Sequence, residues 1–105
     1  MTQVTLRVEN AGAYGDIVQS KLAFSRIEDG VVVLRSQLGE TAPLNDHLVW
    51  LWGIVQHERR VLRSAAAAGA RIICECTVPK GNVRLRANGA ELIHLLEAEL
   101  VLNAK

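Results

Sequence analysis

A chain of 105 residues, half of them hydrophobic, can bury a core of its own, so one α+β domain over 1–105 is expected without metal or disulfide staples. The formal charge is only +1, from 12 basic against 11 acidic side chains with no long run of either sign, which argues against a nucleic-acid partner. The opening MTQVTLRVEN has no apolar h-region, and the longest apolar run, LVWLWGIV, is eight residues and too short to span a bilayer, so no membrane partner and a cytoplasmic location are expected.

Residues 3–9 alternate, with Val4, Leu6 and Val8 to one side and Gln3, Thr5, Arg7 and Glu9 to the other, the pattern of a half-buried strand. Two glycines in 10–15 mark a loop. Residues 16–24 support two readings. As a helix, Asp16 caps a turn that sets Ile17 or Val18 against Lys21 and Leu22; as a strand, Val18, Leu22 and Phe24 share a face. Glu28-Asp29-Gly30 is a tight-turn signal ahead of a strand over Val31–Ser36, and a polar connection follows from Gln37 to Pro43.

The segment from Pro43 to Ala68 organises the rest. Asn45 or Asp46 offers an N-cap, and Gly69 offers a stop. Turned at about 100° per residue, Leu48, Leu51, Val55, Leu62, Ala65 and Ala66 fall on one face. Trp50, Ile54 and Val61 widen that face on one side and Trp52 widens it on the other. Such a broad arc predicts cover on two sides, by a sheet and by a second helix or a second subunit. Glu58 projects into the middle of the arc. It reads either as a desolvated carboxylate suited to acid/base work or cation capture, or as a solvated group paired with Arg59 or Arg86.

After Gly69, Arg71–Val78 alternates as a strand with Ile72, Cys74, Cys76 and Val78 on one face. The two cysteines are too close in sequence for a good disulfide and lack the second half of a zinc site, so reduced core thiols and no metal are expected. Pro79–Asn82 reads as a turn and Val83–Arg86 as the return strand of a hairpin, with Arg84 and Arg86 on one strand face as anion-binding candidates. Asn88 with Glu91 resembles a capping box opening a short helix through Ala98, and ELVLNAK closes the chain as a strand.

Pro43-Leu44, His47-Leu48, the long helix, the Ala-Ala-Gly-Ala turn and the closing pattern of Val83-Arg84-Leu85, Glu91-Leu92 and Leu95-Leu96 resemble the bacterial domain-of-unknown-function family 4279 over roughly residues 36–103. The resemblance implies helices on one face of an antiparallel sheet and brings no catalytic residues.

The three histidines draw no support from spacing. His47 lies in the first turn of the long helix, where the dipole disfavours positive charge; His57 is on the polar face, and His94 is at the edge of a leucine face. His57 and Glu58 are the weak catalytic candidates. No glycine-rich phosphate loop is present, since GAYG is too short, and no cofactor is implied. Trp50, Trp52, Ile54, Glu58 and Val61 are the candidate ligand or interface residues.

The expected architecture is a mainly antiparallel sheet of four to six strands, with one long helix and one short C-terminal helix on one face. The leading functional expectation is a non-enzymatic protein-interaction domain that homodimerises, through the helix face or an open sheet edge. The alternative is a small-molecule binder or simple acid/base enzyme with a pocket between long helix and sheet around Glu58.

Overall fold

The alternating apolar residues of β1 (Gln3–Glu9) become the middle of a sheet. In the computed structural model, which describes residues 1–80 and 84–104, five strands run in the order β2-β3-β1-β4-β5. The others are β2 (Arg26–Glu28), β3 (Val31–Arg35), β4 (Arg71–Val78) and β5 (Glu99–Ala104). β1 pairs antiparallel with both β3 and β4, and β2 pairs antiparallel with β3. β4 and β5 run parallel, so the sheet is mixed at one edge.

The β2–β3 hairpin turns through Asp29 and Gly30, both at positive φ (+50° and +77°), the backbone that a two-residue hairpin loop requires. Registers place Val4, Leu6 and Val8 beside Leu34, Val32, Cys76, Cys74 and Ile72, all buried on one face. That face carries every helix of the described residues. The fold expected from sequence is therefore present, with five strands and the helical layer to one side.

The ambiguous segment after the first loop is helical, as α1 (Gly15–Lys21). Its spacing explains the outcome. Val18 and Leu22 stand four apart and are both buried, whereas a strand would have aligned them with the exposed Phe24. The long helix is present as 24 helical residues from Leu44 to Ala67, in two parts: α2 (Leu44–Val55) and α3 (Arg59–Ala67), joined by a tighter turn over Gln56–Glu58. Leu48, Leu51, Val55, Leu62 and Ala65 are fully buried, as the periodicity predicts; Ala66 is exposed. Gly69 ends the helical run at φ +109°, and its carbonyl accepts from the Asn10 side chain at 3.1 Å.

Two boundaries differ from the sequence reading. Pro43, not Asn45 or Asp46, precedes the first turn of α2, and no side chain caps it. Arg84–Arg86 form no strand, so the expected hairpin return is absent there; Val83 lies outside the described residues. The chain instead crosses over the sheet through α4 (Ala87–Leu96) and returns as β5 alongside β4. Asn88 falls inside α4, so the capping box does not form, and Arg86 takes the cap position.

α4 packs against α2 at a point of close approach. Asn45 of α2 accepts the Arg86 backbone N–H at 3.0 Å and donates to Asn88 Oδ1 at 3.0 Å. A Cβ on Gly89 would overlap Asn45 Oδ1 and lie 2.9 Å from Asn45 Cγ. Gly53, by contrast, sits in α2 with nothing near its missing Cβ. The two glycines therefore predict substitutions of opposite sign. Gly89→Ala is expected to destabilise by about 1–3 kcal/mol through overpacking, and Gly53→Ala to stabilise by about 0.5–1 kcal/mol through helix propensity. Urea unfolding of both variants checks this, and equal effects would contradict the packing account.

Candidate functional site

The crossover places the start of α4 and the carboxyl end of β4 beside the start of α2. A cleft of about 710 Å³ opens there, lined by Thr2, by Pro43–Asp46, by Val78, Pro79 and Lys80, and by Arg84 and Arg86. Its volume lies within the range of small-molecule sites. Val78 and Leu44 are buried and form its apolar floor, while Lys80, Arg84 and Arg86 are exposed at its walls.

The charge balance of this lining is uneven. Three cationic side chains face one carboxylate, Asp46. Among the described residues no carboxylate lies within ion-pair distance of Lys80, Arg84 or Arg86, and the ion pairs there belong to Arg7, Arg35 and Arg71. The first turn of α2 adds to this. Pro43 cannot cap, so the backbone N–H groups of Leu44 and Asn45 find no side-chain acceptor. Orphan N–H groups and the positive end of the helix dipole both favour an anion.

Arg84 and Arg86 were singled out from sequence, but on the premise of a shared strand face. Their proximity comes instead from an irregular connection that enters α4. In sequence, Lys80 falls in a turn and the α2 start in a helix cap, and neither carries a ligand-binding motif that would join it to the two arginines.

The other singled-out residues lie elsewhere. Trp50, Trp52, Ile54 and Val61 are half-buried and pack against the core. Trp50 also meets Phe24, with ring centroids 5.6 Å apart at 48°. Glu58 is half-buried at the turn between α2 and α3, and among the described residues it has no hydrogen-bond or ion-pair partner. None of these five residues lines any of the four clefts described in the chain. His57 and His94 are exposed.

His47 is the titratable group that spacing did not mark. It is 1% exposed, and its Nδ1 lies 2.7 Å from Ser36 Oγ. Ser36 Oγ also accepts the Leu38 N–H at 3.3 Å and keeps a second lone pair, so the imidazole tautomer decides which partner donates in the Ser36–His47 bond. Nε2 has no hydrogen-bond partner among the described residues. Burial lowers the pKa of His47; the carbonyls of Ala42 and Gly39 and the Asp46 carboxylate act in the opposite direction. Ser36 and His47 line a smaller cleft of about 320 Å³ with Thr2, Arg35 and Glu40.

Cys74 and Cys76 are buried free thiols with sulfurs 3.9 Å apart. The hydrogen bond the two thiols share, together with burial, pushes the Cys74 thiol up, while the same bond lowers Cys76 against the effect of its own burial. Comparison of the chain with family models, with curated proteins and with solved structures gave no match.

The buried imidazole makes stability depend on pH. A folded pKa below the unfolded value of about 6.5 means that the unfolded chain binds the proton more readily. Stability is therefore complete above that pH and falls as pH drops through it, by at most about 1.4 kcal/mol per pH unit for one group. Denaturant unfolding from pH 7.5 to 5 is expected to show this decline in the wild type and a flatter profile in His47→Gln. Parallel profiles would remove His47 from the account.

Proposed function

We propose that the protein binds a small anionic ligand, carrying a phosphate or carboxylate group, in the cleft between the starts of α2 and α4. One observation supports this reading most: Lys80, Arg84 and Arg86 line a single cleft with no carboxylate within ion-pair distance among the described residues. Unpaired cations brought together repel one another, and a bound anion removes that repulsion. The position of the cleft agrees with it. β4, α4 and β5 form a parallel strand–helix–strand unit, and ligands of such units bind outside the carboxyl ends of the strands, at the helix start.

Binding, rather than turnover, is the function proposed for the cleft. Asn45 has both amide atoms engaged with Arg86 and Asn88, which fixes the wall that carries Arg86 before a ligand arrives. Among the described residues no helix is long and apolar enough to cross a membrane. A cytoplasmic location forms part of the proposal.

Inorganic pyrophosphate is the probe of choice, titrated by calorimetry and by amide chemical shifts. Saturable binding is expected, with the Leu44 and Asn45 amides among the largest shifts. Charge removal in Arg84→Ala/Arg86→Ala should weaken binding at least about tenfold, and Asp46→Asn should strengthen it. Binding that these variants leave unchanged, or no saturable shift up to millimolar probe, would contradict the proposal.

A further inference from the structure

The sheet ends differently at its two sides. The β2 edge is three residues long, Arg26–Glu28, and two of the three are charged. Short, charged edges resist pairing with another chain. The β5 edge spans six residues, Glu99–Ala104, and reads Leu-Val-Leu-Asn between its ends. It has no proline and no lysine, and its register with β4 runs unbroken from Glu99 to Ala104, without a bulge. Its one charge, Glu99, is neutralised by Arg71 through contacts of 2.8 and 3.1 Å.

The apolar residues of this edge are incompletely covered. Leu102 is 47% exposed, although its register partner Cys76 is fully buried. Leu100 and Val101 are half-buried. The helical layer stops short of the sheet's edge here.

We infer that β5 is the contact edge for a second copy of this chain, the two β5 strands pairing antiparallel about a two-fold axis. Opposed residues in an antiparallel ladder share a face, so the axis passes through one residue and pairs positions equidistant from it. An axis at Val101 sets Val101 against its own copy on the open face. On the helix face it sets Leu100 against Leu102, twice, and each exposed Leu102 is covered. Glu99 then meets Asn103, so no like charges oppose one another. An axis at Leu102 would set Val101 against Asn103 and Leu100 against Ala104, a poorer match. An unrelated strand would find the same backbone groups, whereas a copy of β5 supplies the leucine match on both sides of the axis from this chain's own residues. The contact leaves the cationic cleft out, so it stands or falls independently of ligand binding.

Light scattering of the full chain reads the outcome first. A mass of twice 11.5 kDa at micromolar concentration is expected. Val101→Cys treated with a short bis-maleimide should give a covalent dimer, while Arg63→Cys, on the exposed side of α3, should not. Leu102→Lys should raise the dimer dissociation constant by at least about tenfold with an unchanged circular dichroism spectrum; if that variant does not fold, the Val101→Cys cross-link decides. A mass of 11.5 kDa even at hundreds of micromolar would overturn the inference. So would a dimer that Val101→Cys fails to cross-link, since the contact would then lie on another surface.

Discussion

The placement of α4 rests on one side chain. Asn45 uses its carbonyl oxygen for the Arg86 N–H and its amide for Asn88, and its Cγ and Oδ1 fill the space a Gly89 Cβ would need. Those contacts set where α4 begins. The cleft inherits its geometry from them, because Arg84 and Arg86 sit on the segment that this junction holds. A helix pair meeting at glycine comes close enough for backbone and short side chains to interact directly, which ordinary core packing does not permit.

The sheet has two faces stabilised by different means. One is covered by helices, and its strands contribute Val, Leu, Ile and Cys to a continuous core. The other carries no helix, yet Val33 and Ile73 on it are 6% and 4% exposed. Arg7 stands between them in register, and its guanidinium reaches Glu9 at 3.4 Å and Glu75 at 3.3 Å. Arg71 extends the pattern by bridging Glu9 and Glu99. Each exposed pair contributes little by itself. Their joint effect is to give the open face alternating charge, which covers apolar surface without offering an adhesive patch. The same economy is missing at the β5 edge, where the strand is apolar and its one carboxylate is already engaged.

Much of the fold was legible because it depends on periodicity. β1 and β4 alternate, and the α2–α3 segment repeats its apolar residues at helical spacing, signals that arise directly from pleat and helix geometry; β3 is instead a short continuous apolar run set off by its turn. His47 shows a readable position that went unread. It lies three residues after Leu44 and four before Leu51, both buried, so its burial follows from the same rule once the dipole argument is set aside. The α1 segment is the intermediate case, since Val18 and Leu22 share a face in either conformation and the difference lies in Phe24, which a strand would align with them and which is exposed. Glu58 marks the opposite limit. A constant angle per residue places it in the apolar arc, but the tighter turn over Gln56–Glu58 interrupts that angle, and local turns of this kind leave no trace in composition.

The cleft was legible only in part, and the reason is topological. Arg84 and Arg86 alternate with Leu85, which is the pattern of a strand, and a strand would have spread them along an exposed ladder. What decides their environment is that β5 pairs parallel to β4. A parallel partner cannot be reached by a tight turn; the chain must travel back along the sheet, and a helix is the usual way to do so. Pro79, Lys80, Arg84 and Arg86 then lie at the carboxyl end of β4, next to the α2 start. Strand direction, a property of the whole chain, thus converts a pair of exposed arginines into two walls of one cleft. Residue spacing within 84–86 contains no information about that direction, because antiparallel and parallel strands alternate alike.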